Sequence, residues 1–190
     1  MSGKRIDYNL PNGYQAIKKF KEYDIGRCLD IGSGENSVID GAKTCDLLPT
    51  ADYVGDYMGF EFDEPFDSIW CCHVLEHQRN VGFFLEKIRR DVKVGGVVAI
   101  TVPPYRTDLV GGHIHLGNAG HLLYNMILAG FDCSEAMVGE YGYNISVVVK
   151  RKDAQLPQLK MDVGDIETLQ AFFPLPVKQG MSGEISGINW

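Results

Sequence analysis

Apolar residues along the chain fall into short runs that alternate with helix-like patterns. Runs rich in valine and isoleucine, bounded by glycine or proline, are typical of buried strands. Apolar residues three or four positions apart are typical of a helix that packs on a sheet. This alternation predicts an α/β domain with a mostly parallel sheet. The predicted strands are residues 27–31, 43–45, 52–54, 66–72 and 97–102, and the predicted helices are residues 14–23, 81–91 and 118–129.

The end of the chain shows a different pattern. The elements predicted there are 131–138 and 144–150, which form a closing antiparallel strand pair, and 166–173, a helical stretch. Residues 1–150 are therefore predicted to form one domain, with residues 151–190 as a C-terminal extension. The extension carries Phe172, Phe173 and Trp190, which is too much apolar surface for a disordered tail. It should pack on the domain, act as a lid over a pocket or form a dimer contact.

The composition limits the classes of function. A chain of 190 residues, 45% of them hydrophobic, suits one domain with one core. The net charge of −7 disfavours a nucleic-acid partner, because binding to phosphate backbones relies on Lys and Arg. Five cysteines without C-x-x-C spacing indicate reduced thiols in a cytoplasmic protein. No apolar stretch suggests a signal peptide or a membrane span, so no membrane partner is expected.

A glycine-bearing turn follows the first predicted strand directly. Asp30 lies near the end of that strand, and Gly32, Ser33 and Gly34 form the turn. Glycine allows a positive φ and a close approach of the backbone to a ligand. The dinucleotide fingerprint G-x-G-x-x-G would need a glycine where Ser37 stands, which weakens a pyrophosphate site. A plain structural turn is the alternative.

Acids also follow the next two predicted strands. These acids are Asp46, which precedes Leu47, and Asp56. Since ligands bind beyond the carboxyl ends of parallel strands, Asp30, Asp46 and Asp56 are expected to converge on one edge of the sheet. A carboxylate there can accept hydrogen bonds from the two hydroxyls of a ribose. The alternative for Asp46 and Asp56 is a solvated turn residue, a common role for Asp.

Further segments occur with these acids in a specific order and spacing. They are Leu29-Asp30-Ile31-Gly32-Ser33-Gly34, Asp46, Tyr53-Val54-Gly55-Asp56, Phe66-Asp67-Ser68-Ile69-Trp70, His73-Val74-Leu75-Glu76-His77, and Val94-Gly95-Gly96 running into Ile100-Thr101-Val102-Pro103. Together they resemble the class I S-adenosylmethionine-dependent methyltransferases, especially the bacterial type 11/23-like group with a His-Val-Leu-Glu-His segment. Two departures are Asn36, where a third glycine is frequent, and the segment 34–46, which is too short for a full covering helix.

The resemblance implies a fold, a cofactor and roles for residues. The fold is a Rossmann-like, doubly wound, mostly parallel sheet in a methyltransferase domain at residues 1–150, and the cofactor is S-adenosylmethionine. The glycine turn would face its methionine part, Asp46 its ribose and Asp56 its adenine, with His73 beside the transferred methyl group. The cofactor-binding residues implied are Asp30, Gly32, Ser33, Gly34, Asp46, Leu47, Asp56 and His73.

The histidines supply candidates for a general base. They are His73, His77, His113, His115 and His121. If a hydroxyl is the acceptor, a histidine is the natural group to remove its proton. His113 and His115, in a glycine-rich loop, are the first candidates, and His73 is a third for which packing is equally compatible; packing or capping is favoured for the other two. No metal site is predicted, because His113 and His115 with Asp108 leave the ligand set incomplete.

Three functions are compared. The leading hypothesis is O-methylation of a small molecule or of a sugar in a bacterial surface glycan, the sugar being an analogy with the family. The second is an S-adenosylmethionine-binding protein or partner subunit without transferase activity, because the binding residues are clearer than a catalytic group. An NAD-dependent dehydrogenase is less favoured, because Ser37 breaks the fingerprint. The C-terminal extension also offers a contact for a homodimer.

Overall fold

Eight strands form one sheet in the computed structural model, which describes residues 12–115 and 117–190. The strands are β1 (Cys28–Ile31), β2 (Lys43–Asp46), β3 (Tyr53–Val54), β4 (Phe66–Cys72), β5 (Val92–Val102), β6 (Met137–Tyr141), β7 (Asn144–Lys150) and β8 (Gly187–Ile188). Their order across the sheet is β3-β2-β1-β4-β5-β7-β6-β8. The pairs among β1 to β5 are parallel, and β6, β7 and β8 add antiparallel pairs at one edge.

Helices cover both faces of this sheet. They are α1 (Ala16–Phe20), α2 (Val81–Asp91), α3 (Ala119–Leu128) and the short α4 (Asp165–Thr168). Leu29 and Ile31 belong to the core under α2 and α3, whereas Cys28 and Trp70 belong to a second core with Phe20 of α1. The Rossmann-like sheet with a closing antiparallel pair is therefore confirmed. Within the described residues, no helix combines the length and apolar character needed to cross a membrane.

The strand order creates one point where the direction of winding reverses. From β1 the chain moves outward through β2 to β3, and then crosses to β4 on the other side of β1. In open α/β sheets, ligands bind in the crevice beyond the carboxyl ends of the strands at such a point. The segments that follow Ile31 and Cys72 are therefore the ones placed to meet a ligand.

Several predicted elements have the observed boundaries. β4 and α2 coincide with the predicted residues 66–72 and 81–91. β5 begins at Val92 rather than at residue 97, because the chain is already extended where α2 ends and Val92 pairs with Phe66. The segment between β1 and β2 contains no helix, as its shortness implied.

One strand of the closing antiparallel pair, β6, starts later than predicted. β7 has the predicted residues 144–150, but β6 starts at Met137 instead of residue 131. The backbone before β6 is turned, because the Asp132 carboxylate accepts a hydrogen bond from the amide of Ser134 at 3.0 Å. Asp side chains that bond the backbone two residues on stabilise turns at the expense of strands.

The C-terminal extension lies against the sheet. Leu169 and Ile185 are buried in the core that also contains α2 and α3. β8 pairs with β6 at the sheet edge, and Trp190 stacks on Tyr141 with ring centroids 5.5 Å apart. The predicted helical stretch is divided into α4 and a 3-10 turn at Gln170–Phe172.

Candidate functional site

A cavity of about 630 Å³ lies beyond the carboxyl ends of β1, β2 and β4. Its volume is within the range of small-molecule and cofactor sites, roughly 300–1,000 Å³. The cavity-lining residues from the predicted cofactor set are Gly32, Asp46, Leu47, Asp56 and His73. The structure therefore brings together residues from three strand ends and the turn after β3, and we refer to this space as the strand-end cavity.

Gly32 brings the turn after β1 close to the segment after β4. Its φ is +73°, a conformation that favours glycine. A Cβ atom on Gly32 would lie 2.2 Å from Cγ2 of Val74, well inside van der Waals contact. The Gly32 amide also donates a hydrogen bond to the carbonyl of Cys45 at 2.8 Å. Glycine at this position is thus needed for the two strand ends to meet.

Asp46 connects the end of β2 to the glycine turn. Its Oδ2 accepts a hydrogen bond from the Gly34 amide at 2.8 Å, and its Oδ1 accepts one from the Leu48 amide at 3.0 Å. The side chain is half-buried and lines the strand-end cavity. Because each carboxylate oxygen has two lone pairs, Asp46 can still accept hydrogen bonds from a diol.

Apolar side chains form the wall near Asp56. Asp56 caps the 3-10 turn at Tyr57–Gly59, accepting a hydrogen bond from the Met58 amide at 2.9 Å. Leu47 is 75% exposed and Phe83 is 61% exposed, although both line the cavity. Large exposed apolar residues around a pocket mark a surface that a ligand can cover. This wall suits a flat apolar group such as an adenine ring.

Asp30 lies away from the strand-end cavity. It faces the same side of β1 as Cys28, and its carboxylate accepts a hydrogen bond from the Ser37 hydroxyl at 2.6 Å. Burial raises the pKa of Asp30 to about 6, and the Ser37 hydrogen bond opposes that increase. Ser33 and Gly34 also lie outside the lining of the cavity. Direct cofactor contacts of these three residues stay predictions.

His73 is held rigidly at the end of β4. Its φ of +56° is unusual for a residue other than glycine and is often found at functional sites. Its Nε2 is 3.1 Å from Oδ1 of Asn144, which also accepts a hydrogen bond from the Gly13 amide at 3.0 Å. The Asn144 amide nitrogen donates to the Tyr141 carbonyl, so Oδ1 must face His73. Nε2 of His73 therefore carries a proton and donates it to Asn144.

Glu76 is buried next to three histidines. Its side chain is 1% exposed, and its Oε1 lies 3.2 Å from Nδ1 of His73 and 3.9 Å from Nε2 of His77. Neither contact is a hydrogen bond, and neither carboxylate oxygen has a hydrogen-bond partner among the described residues. His113 packs edge-on against His77 with ring centroids 5.0 Å apart.

A second cavity of about 500 Å³ lies on the other side of Glu76. We call it the loop cavity, because His115 of the loop after β5 and His121 of α3 line it. Arg79 and Asn80 line both cavities, so the two spaces adjoin. His113 lines neither, and Asp108 is exposed and paired with Arg106 at 2.7 Å.

The sequence reasoning missed several lining residues. Arg79, Asn80, Met58 and Phe83 carry no motif of their own. A signal for Phe83 was present, because Asn80 is a helix-capping residue type that fixes where α2 begins; its Oδ1 accepts a hydrogen bond from the Phe83 amide at 3.2 Å. Phe83 then falls in the first turn of α2 beside the buried Phe84, on the side that faces the strand ends.

Comparisons with known proteins agree with this geometry. Residues 42–100 match the family model described as a methyltransferase domain. A search of curated protein sequences found no match. The matched segment contains β2, β3, β4 and α2, which line the strand-end cavity together with the end of β1 and Gly32 outside the matched residues.

Solved structures share the fold at low sequence identity. An S-adenosylmethionine-dependent methyltransferase from Clostridium acetobutylicum ATCC 824 has 11% identity and a TM-score of 0.55, covering 72% of this chain and 89% of its own. A 1,6-didemethyltoxoflavin-N1-methyltransferase from Burkholderia thailandensis, solved with its substrate and S-adenosylhomocysteine, has 15% identity and a TM-score of 0.57, covering 73% and 76%. An amino pentose methyltransferase from Micromonospora echinaspora, solved with S-adenosylmethionine, has 13% identity and a TM-score of 0.56, covering 73% and 88%.

The residues present in the strand-end cavity fit S-adenosylmethionine. Asp46 retains acceptor capacity for ribose hydroxyls, and Leu47 and Phe83 offer uncovered apolar surface. The acidic side chains Asp46 and Asp56 favour a ligand that carries positive charge. Residues 42–100 therefore match a methyltransferase domain, and the chain has the fold of S-adenosylmethionine-dependent methyltransferases.

Proposed function

We propose that the enzyme methylates a hydroxyl group of a small molecule, and that a sugar of a bacterial surface glycan is its acceptor. The observation that carries the proposal is the pair of adjoining cavities, which share Arg79 and Asn80. The strand-end cavity would hold the cofactor through Gly32, Asp46 and the wall near Phe83. The loop cavity would hold the acceptor.

When bound, S-adenosylmethionine supplies an electrophilic methyl group on a sulfonium. The chain's own contribution is to align the acceptor with that group and to exclude water. His73 and Val74, at the inner end of the strand-end cavity, would fix the position of the reacting end. A small-molecule acceptor suits the loop cavity, because about 500 Å³ is enough for a ligand the size of a monosaccharide or larger.

Among the predicted bases, His115 is placed best for an acceptor hydroxyl. It lines the loop cavity, and its Nε2 lies 3.4 Å from the Arg79 carbonyl, which favours the proton on Nε2 and a free lone pair on Nδ1. His73 has both ring nitrogens close to oxygen atoms of Asn144 and Glu76. His113 packs on His77 outside both cavities. We therefore assign the base to His115.

The structural relatives support a small acceptor. One acts on an amino pentose, and one was solved with S-adenosylhomocysteine and D-fucose at a TM-score of 0.50. Another is an N1-methyltransferase, so N-methylation is tested alongside O-methylation. The binding protein without transferase activity is the second candidate, and the dehydrogenase is less favoured because Ser37 occupies a fingerprint glycine position. A cytoplasmic location and a homodimer are further proposals, based on the free cysteines and on the apolar C-terminal extension.

The experiment is a methyl-transfer assay that measures S-adenosylhomocysteine release with a panel of free sugars, nucleotide-linked sugars and small amines. We expect turnover with a hydroxyl acceptor, and a loss of about 10²- to 10⁴-fold in kcat for His115→Ala, the size of a general-base contribution. Asp40→Ala, an exposed acid outside both cavities, is the matched control. Turnover with amines alone would contradict the O-methyltransferase, and cofactor binding without turnover on any acceptor would favour the binding protein.

A further inference from the structure

Glu76, His77 and His113 form a cluster that the methyl-transfer reaction does not require. One ligand atom from each side chain lies within 4.8 Å of the other two. Glu76 and His77 come from the segment after β4, and His113 comes from the loop after β5, so two separate parts of the chain meet here. The cluster offers two imidazole nitrogens and a carboxylate.

The tautomer of His77 is set by the backbone. Its Nδ1 lies 2.8 Å from the carbonyl of Gly112, an atom that can only accept a hydrogen bond. Nδ1 therefore carries a proton, and in the neutral ring the lone pair is on Nε2. That nitrogen lies 3.9 Å from Oε1 of Glu76. A histidine that donates one ring nitrogen to a carbonyl and offers the other is the usual arrangement of a metal ligand.

The buried groups of the cluster need a positive partner. Glu76 is 1% exposed, and both its oxygens lack a hydrogen-bond partner among the described residues. The Nδ1 atom of His113 is also buried without one in that part of the chain. Leaving a buried acceptor without a partner costs about 1–3 kcal/mol, and more for a charged group. Carboxylate oxygens of Glu76 and ring nitrogens of His77 and His113 thus share a space that a cation would stabilise.

We propose that Glu76, His77 and His113 bind a divalent transition-metal ion of the Zn²⁺ type. Two imidazoles and one carboxylate are the ligands of open zinc sites and of related first-row metal sites. In a tetrahedral site, metal–ligand bonds of about 2.0–2.2 Å place the ligand atoms about 3.3–3.6 Å from one another. The largest separations, up to 4.8 Å, then have to shrink by about 1 Å to reach this geometry. Rotations of the His77 and His113 side chains would provide this movement.

The position of the cluster gives the ion access to both cavities. Glu76 lines the loop cavity and His77 lines the strand-end cavity. With three protein ligands, an ion keeps at least one coordination position for water or another oxygen ligand. This step rests on the proposed function: the ligand would be the acceptor hydroxyl, whose proton the ion would make easier to remove.

The test is direct metal binding to the untagged, chelator-treated protein in the absence of cofactor and acceptor. Isothermal titration with Zn²⁺ and the visible absorption of Co²⁺ measure stoichiometry and geometry. We expect one ion per chain, and at least about a hundredfold weaker binding for His113→Ala and for Glu76→Gln, more than the loss of an outer-shell partner causes. His121→Ala removes an exposed histidine outside the cluster and should bind the ion as the wild type does.

Thermal unfolding keeps the proposal testable if Glu76→Gln is poorly folded. His113 is in a loop, so His113→Ala should fold and should lose the increase in Tm that Zn²⁺ gives the wild type. Absence of stoichiometric binding in the wild type, or unchanged affinity in His113→Ala, overturns the metal site. The binding test uses neither cofactor nor acceptor, so failure of this proposal is distinguishable from absence of turnover in the methyl-transfer assay.

Discussion

The Asp46 carboxylate accepts a hydrogen bond from the Gly34 amide at 2.8 Å, which ties the end of β2 to the glycine turn after β1. A second backbone amide, from Leu48, bonds the other oxygen at 3.0 Å. Asp46 therefore shapes two sides of the strand-end cavity before any ligand binds. The same side chain is the one proposed to hold the ribose, so its positioning and its binding role are coupled.

The first prediction concerns Asp46→Ala. Loss of a charged acceptor costs about 1.5–3 kcal/mol, so affinity for S-adenosylhomocysteine should fall by about 10- to 150-fold in isothermal titration calorimetry. Asp40→Ala, which alters an exposed acid in the same segment, should keep wild-type affinity. Equal affinities of wild type and Asp46→Ala would show that the ribose binds elsewhere.

Gly32→Ala tests the contact between the two strand ends. The added Cβ would meet Cγ2 of Val74 at 2.2 Å, so the variant should lose about 2 kcal/mol or more of unfolding free energy and bind cofactor poorly. Adding Val74→Ala removes the clashing methyl group and should recover part of both losses, while the strain of a positive φ persists. Gly41→Ala is the control, since it has a φ of +74° and no atom within 4 Å of the new Cβ. If the double variant is no better than Gly32→Ala, the clash is not the cause.

The raised pKa of Asp30 predicts how the free energy of unfolding depends on pH. Because burial raises its pKa in the folded protein to about 6, above the ordinary value of 3.8, the folded state binds this proton more tightly than the unfolded state. The free energy of unfolding should therefore decrease as the pH rises from about 4 to about 6. One pKa unit corresponds to about 1.4 kcal/mol, so the decrease from this group is about 2–3 kcal/mol.

Urea unfolding of wild type and Asp30→Asn across pH 4–7 measures that contribution. The variant keeps an acceptor for the Ser37 hydroxyl, which donates to Asp30 at 2.6 Å, but has no ionisable group there. Its stability relative to the wild type should increase with pH over this interval. Parallel pH profiles for the two proteins would mean that Asp30 titrates normally in the folded state.

Substitution of Trp190 tests whether the C-terminal extension is part of the folded domain. Its ring stacks on Tyr141 and its Nε1 donates a hydrogen bond to Oε1 of Gln15 at 3.0 Å. Trp190→Ala should lower the free energy of unfolding by about 1–3 kcal/mol, because the half-buried ring contact is lost. Trp190→Phe keeps the stacking and should lose only about 1 kcal/mol with the hydrogen bond. An unchanged Tm in Trp190→Ala would indicate that the extension does not pack in this way.

The sequence was sufficient to predict the secondary-structure elements whose hydrophobic pattern is local. The apolar run of β4 and the apolar spacing with the Asn80 cap of α2 set their boundaries, and the acids after β2 and β3 identified the edge that bears the cavity. Asp30 could not be oriented in the same way, because all four residues of β1 are buried and the run shows no alternation. β8 has only two residues, and its pairing with β6 depends on how the extension packs.

The histidines show a second limit. His77 and His113 are 36 positions apart, and their contact arises only because the loop after β5 returns to the segment after β4. In the sequence, His113 and His115 are two positions apart and suggest a single ligand group. In the structure, His115 lines the loop cavity, whereas His113 lies next to Glu76 and His77. Such a grouping depends on tertiary structure and leaves no spacing signature in the chain.

A crystal structure of the protein with S-adenosylhomocysteine tests the central claim most directly. We expect one ligand per chain in the strand-end cavity, with both ribose hydroxyls on Asp46, the adenine against Leu47 and Phe83, and the sulfur towards His73. Electron density for the ligand at any other place, or a ribose without contact to Asp46, would contradict the account.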